Sequence, residues 1–383
     1  MLAAVAATGL LLATAPATGT EAALELPGES LPLTAPDEAF DLDVGEPLTA
    51  ACGDVCLPGC CPNWSHYAIF DALFLQRDNS LINRPLAVDS GRINPAATGN
   101  VLLTSRDMQY ATAPGARLFY GEYGPDGVGW EIGYLGVYGM YADAAANGPD
   151  TLAVPGDLAD IPGSGFSDAV QIRPTTVSTL NMAEANLFTY CCCRTGGSCA
   201  KLPWDRCHCA CTCSNWLVGL RWAGLQEAAN LGITCCEGDP PGSYRVTTSS
   251  QMIGPQVGYR RRKEWKCWAY EGWAKVGFMG TILSQSQGAL YEPFVGLDPV
   301  LVREPRSSSR GSVGMIGDIN FSVIRRLNDT WGLRVGYNLI WLTGAALAAN
   351  QWDFTNTDSS GTALVDGGSL LIHGANLGVE ARW

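Results

Sequence analysis

Four stretches of the chain alternate between apolar positions and small or charged ones. In residues 129–141, one face carries Trp130, Ile132, Tyr134, Tyr138 and Met140, and the other Glu131, Gly133, Leu135, Val137 and Gly139. In 215–226, Trp216, Val218, Leu220 and Trp222 alternate with Leu217, Gly219, Arg221 and Ala223. In 330–343, Trp331, Leu333, Val335, Tyr337, Leu339 and Trp341 alternate with Gly332, Arg334, Gly336 and Asn338. The last stretch sets Leu371, His373, Ala375, Leu377, Val379, Ala381 and Trp383 against Gly374, Asn376, Gly378, Glu380 and Arg382. A period of two is the signature of a strand with one apolar face. Weaker segments of the same kind occupy 65–77, 115–123, 181–190, 249–260, 271–285 and 311–324, and 102–110 and 168–180 add two candidates. The pattern therefore predicts an all-β chain of ten to twelve strands.

A soluble sandwich also alternates, so three further features decide. Aromatic residues sit near both ends of the apolar faces (Trp216 and Trp222, Trp331 and Trp341), as the two interfaces of a bilayer demand. The segments are long against the globular mode of about five or six residues, and match the roughly nine to eleven that a tilted span requires. The chain ends inside a strand on Trp383, read here as an assembly signal for the barrel-assembly machinery. Connections alternate in length as well. Those at 78–114, 142–180, 227–248, 286–310 and 344–369 are long, those at 124–128, 261–266 and 325–329 short, and only 191–214 breaks the order. The prediction is a transmembrane antiparallel up-and-down β-barrel, resident in lipid of the cell outer membrane.

Composition narrows the alternatives. Charged residues make up 16% of the 383, below the roughly 25% of soluble proteins, and no apolar run of helix-spanning length follows the N-terminus. The net charge of −13 excludes a nucleic-acid partner, since no basic face exists to neutralise phosphates. Residues 1–17 read as a signal peptide, with Ala15-Pro16-Ala17 as the cleavage site. Residues 18–62 read as an acidic, Cys-containing flexible leader, and 63–383 as the barrel.

Around 216–227, 252–258 and 331–348 the chain resembles the outer-membrane β-barrel porins of planctomycetes. The resemblance rests on Gly219, Arg221 and Trp222; on Gly254, Gln256 and Gly258; and on Arg334, Gly336 and Tyr337. It spans residues 64–383 and implies a barrel without an established solute. The acidic leader and the Cys-rich insert fall outside that pattern.

Turning the apolar faces to lipid places Arg117, Glu131, Arg221, Lys275, Asp318, Arg334, Glu380 and Arg382 in the lumen. Each Arg or Lys left on the lipid side at mid-bilayer would cost about 2–4 kcal/mol. Two readings stay open: a charged lining that selects solutes, or an internal salt-bridge network that shuts a narrow barrel. Eight-strand barrels are filled by side chains and open channels appear near sixteen, so ten strands lean toward the filled end.

Fifteen cysteines in an exported chain suggest disulfides. They fall as Cys52, Cys56, Cys60 and Cys61; Cys191, Cys192, Cys193 and Cys199; Cys207, Cys209, Cys211 and Cys213; Cys235 and Cys236; and Cys267. With ten strands, all but Cys235 and Cys236 fall on the periplasmic side, where they would tie a cap or link to a cysteine-rich envelope protein. A metal site at Cys207-His208-Cys209-Ala210-Cys211-Thr212-Cys213 is the competing reading, but C-x-C-x-C suits a closed tetrahedral site poorly. No cofactor is expected. The histidines, His66, His208 and His373, join no legible nucleophile and base, so the sequence predicts a protein that is not an enzyme. It predicts a porin-like channel, with a closed barrel that anchors the envelope as the alternative.

Overall fold

In a computed structural model, residues 65–89, 100–124, 127–161, 163–194, 208–235, 242–293 and 300–383 are described. The expected signal peptide and leader lie outside them. Ten strands form the wall: β1 (His66–Arg77), β2 (Ala113–Tyr123), β3 (Val128–Asp143), β4 (Ala169–Arg194), β5 (His208–Thr234), β6 (Gly242–Lys266), β7 (Trp268–Gln287), β8 (Arg306–Arg326), β9 (Trp331–Ala345) and β10 (Gly368–Arg382). Each pairs antiparallel with the next. β10 returns to β1 along a register from Tyr67↔Arg382 to Arg77↔Ile372. The sheet is thus a closed up-and-down barrel, which leaves no edge in the hydrocarbon.

The wall is inside out relative to a soluble protein. Phe70, Leu118, Ile132, Val218, Ile253, Phe278, Phe321 and Val335 are exposed, while Arg117, Arg221 and Arg334 are buried. Only an apolar solvent stabilises that inversion. Aromatic rings band the end that carries Ser65 and Trp383: Tyr120 packs 5.6 Å from Trp130 and 6.3 Å from Trp383, and Trp216 lies 5.0 Å from Tyr259. The short turns between β2 and β3, β6 and β7, and β8 and β9 are at this end, the periplasmic one by the rule that barrels place long loops outside.

All ten segments with period-two patterning are strands of the wall. The two additional candidates add no further strand to the wall. Residues 168–180 are the outer part of β4, and 102–110 form the short strands Val101–Thr104 and Gln109–Tyr110 in the β1–β2 loop. β4, β5 and β6, of 26, 27 and 25 residues, run past the membrane belt. The expected 261–266 connection is therefore strand, and β6 and β7 meet at Trp265↔Trp268. One facing is corrected. Met140 was assigned to the lipid side, but the register slips between Val137 and Met140 and buries it in the lumen. Gly139 takes up the bulge at φ +66°, a conformation open to glycine without steric cost.

Candidate functional site: the filled lumen

Inward-facing residues divide the lumen into two layers. The periplasmic half is ionic, and the outer half is mostly apolar around one buried ion pair, Arg77 with Glu227.

In the ionic layer, inward charges recur every second residue on β6 and β10 and every fourth on β7, and most of the other strands contribute single charges. Arg117 forms an ion pair with Asp71 on neighbouring β1 and donates to Asn338 Oδ1 at 2.5 Å. Arg221 pairs with Glu184 and reaches Asp318 at 3.1 Å, three strands away. Lys275 Nζ crosses to Glu131 at 3.1 Å and also pairs with Glu184. Nearer the periplasm, Arg334 lies 3.0 Å from Glu271 and 2.9 Å from Glu380, while Arg262 reaches Glu380 at 2.6 Å. Arg382 sits 3.3 Å from both Glu271 and Glu380. All eight lumen candidates are buried, and each belongs to this network.

Several members were not singled out from the sequence: Asp71, Glu184, Arg260, Arg262 and Glu271, with the rings of Tyr67 and Trp273. Parity could have found them, because Asp71 lies between outward Phe70 and Ala72, and Arg260 and Arg262 flank outward Arg261. On β4 the inward face mixes Met182 and Phe188 with Glu184, which weakens the contrast between faces.

Contacts span the full bore. In a ring of ten, β1 faces β6 and β2 faces β7. Arg260 Nη1 on β6 donates to Tyr67 Oη on β1 over 2.9 Å. The Trp273 ring on β7 meets Phe119 on β2 edge-on at 5.8 Å, and the Arg117 guanidinium on β2 lies 4.7 Å above it. Gly133 makes room for this, since a Cβ there would overlap the Phe119 ring.

Above the ionic layer the inward residues become apolar, including Leu73, Leu75, Val137, Leu180, Met252, Ile316, Ile340 and Ile372. The β9–β10 loop descends onto them. Leu347, Ala348, Ala349 and Trp352 are buried, and a 3-10 turn spans Ala348–Gln351. Its polar groups, backbone and side chain, are met by the wall. Ala346 N donates to Ser250 Oγ at 3.0 Å, Ala348 N to Glu227 Oε2 at 2.8 Å, and Trp352 Nε1 to Tyr244 O at 3.2 Å. Glu227 is itself held by a buried ion pair with Arg77.

Trp383 lies at the periplasmic rim, half-exposed. Its carbonyl accepts from Ser65 N and His66 N, each at 2.9 Å, and its ring stacks 5.8 Å from His66. Of the cysteines, the side chains of Cys213, Cys235 and Cys267 are described, and Cys213 and Cys267 are disulfide-bonded. Cys191, Cys192, Cys193, Cys209 and Cys211 are known by backbone alone, and the others lie outside the described residues. Of the competing metal reading at 207–213, the Cys213 side chain is described, and it is in a disulfide rather than a free thiolate. His373 faces outward, its Nδ1 2.7 Å from Tyr337 Oη.

No family model matches the chain. No curated protein matches it either. Among solved structures it is similar to the outer-membrane protease OmpT of Escherichia coli, at 9% identity and a TM-score of 0.44, covering 84% of this chain and 98% of that one. It is also similar to outer-membrane OmpT of Vibrio cholerae, at 9% identity and a TM-score of 0.16, covering 83% and 97%. The toluene transporter TodX of P. putida matches at 9% identity and a TM-score of 0.17, covering 84% and 90%. These are outer-membrane barrels, and nothing in them singles out the planctomycete porins. Against the expectation that the chain is not an enzyme stands the first of them, an outer-membrane protease. The likenesses are of fold alone, and the membrane location follows from the barrel's own wall, apolar outside and ionic within. The chain is a ten-stranded outer-membrane β-barrel.

Proposed function

We propose that this barrel is closed and serves the outer membrane as an anchor rather than as an open porin. The observation that carries the reading is the contact between opposite walls, Tyr67 with Arg260 and Phe119 with Trp273. A diffusion pore needs a continuous aqueous path, and these side chains occupy the axis on which it would run. The apolar layer and its loop plug stand above them as a second barrier.

An ionic layer of this size is poor evidence for stability, because desolvation offsets most of the Coulomb attraction. It does fix which strands face each other, since every carboxylate left unpaired would cost several kcal/mol. A rigid, uniquely registered barrel suits an anchor. The cysteines supply the means of attachment: the periplasmic turns would hold a disulfide-tied cap, or join a cysteine-rich envelope protein. Bilayer lipid and the barrel-assembly machinery, acting through Trp383, complete the proposed partners.

Liposome swelling tests the reading. Vesicles carrying the refolded protein should swell no faster in small sugars than protein-free vesicles. Swelling that rises with protein content and falls with sugar size would contradict it.

A further inference from the structure

The outer surface of the wall bears a cationic sector that the closed-barrel reading does not use. At the periplasmic rim, β6 turns Arg261 and Lys263 outward, and β8 turns Arg325 outward. Between them, β7 presents Trp268 and Tyr270. The register aligns Lys263 with Tyr270, Trp265 with Trp268, and Trp268 with Arg325. Lys263 and Arg325 are therefore two strand spacings and two residues apart, about 12 Å. The Arg325 guanidinium lies 5.0 Å over the Trp268 ring.

Many other cations of the barrel are paired, although Arg106, Arg245 and Arg306, toward the loop end, have no carboxylate partner among the described residues. The lumen cations named above all face carboxylates, and outward Arg173 and Arg310, at the loop end, pair with Asp143 at 2.7 Å and Asp366 at 3.4 Å. Among the described residues none of Arg261, Lys263 and Arg325 has a carboxylate partner, and the outward positions of β6, β7 and β8 at this rim carry no acid. Across the barrel the same rim is aromatic and bears an acid instead: Glu122 accepts from Trp130 Nε1 at 3.1 Å.

We propose that this sector binds an anionic glycerophospholipid of the periplasmic leaflet. The rings of Trp265, Trp268 and Tyr270 sit at the depth of the glycerol backbone, as interfacial aromatics do. The long cationic side chains reach past them to the phosphodiester. Three cations around one phosphate favour a headgroup with no ammonium of its own. Phosphatidylethanolamine brings such an ammonium, and phosphatidylglycerol does not.

The test uses the full chain refolded in neutral detergent with equal phosphatidylglycerol and phosphatidylethanolamine, read by native mass spectrometry. The expected result is retention of phosphatidylglycerol with a preference on the order of tenfold or more, taking each cation near an anionic headgroup at its usual strength. The R261Q/K263Q/R325Q variant should fall to near parity while keeping the heat-modifiable gel mobility of a folded barrel. Equal retention of both lipids by the unaltered chain would overturn the proposal. So would a folded triple variant that keeps the preference.

Discussion

Arg260 and Tyr67 stand on strands that face each other across the barrel, and their side chains meet on its axis at 2.9 Å. The same guanidinium reaches Glu131 at 2.5 Å, so one cation ties β6 to β1 and β3 at once. Arg260→Ala would leave Glu131 and the Tyr67 hydroxyl short of a partner in a buried layer. Breaking one side of a buried pair costs about 3–5 kcal/mol. A lower midpoint in urea unfolding from vesicles, shifted by that amount, is the expected outcome, and a change below about 1 kcal/mol would show the contact to be incidental.

The plug buries one large ring. Trp352 is 1% exposed and packs within the apolar layer. Trp352→Ala should destabilise by about 3–5 kcal/mol through the cavity left behind. Hydrogen exchange should rise first in residues 346–352, because the loop can lift while the wall stays paired.

Acid should loosen the same loop. Burial alone would raise the Asp353 carboxyl, but hydrogen bonds from the Thr355 hydroxyl and N–H and the Gly361 N–H, helped by Arg303, hold it below its ordinary value. A depressed carboxylate stabilises the fold above its unfolded value, about 3.9, and that contribution fades as pH falls through the folded value. Exchange in residues 353–361 should therefore be pH-independent in protection from 7 down to about 5 and lose protection below about 4. Asp353→Asn should remove the acid-specific step.

The bulge in β3 makes a local prediction. Gly139 has φ +66°, and nothing crowds a Cβ there, so only backbone strain opposes a side chain. Gly139→Val should cost about 1–2 kcal/mol. If the valine were neutral, the bulge would have shifted to another residue, and Met140 would be the place to look for renewed lipid exposure.

The wall was legible in the sequence because lipid outside and polar groups inside leave a period-two trace on every strand. Beyond the membrane belt the contrast reverses. On β5, inward Leu225, Leu231 and Ile233 oppose outward Gln226 and Asn230, so its continuation beyond 215–226 departs from the lipid-face pattern, and the outer part of β4 reads as a separate candidate at 168–180. Met140 was misplaced because alternation assumes an unbroken register, and a single bulge reverses every facing beyond it. The eight charged lumen candidates came from the clear strands, whereas Glu184 lay hidden between inward Met182 and Phe188. No local pattern reveals the loop plug, since Leu347–Trp352 becomes core only when the fold brings it over the mouth.

Single-channel recording in planar bilayers tests the closed lumen most directly. The refolded protein, verified as inserted, should pass no steady current with its cysteines oxidised and none after reduction, because the contacts of Tyr67 with Arg260 and Phe119 with Trp273 involve no disulfide. Discrete, stable conductance steps in either state would show an aqueous path through the ionic layer and contradict the closed barrel.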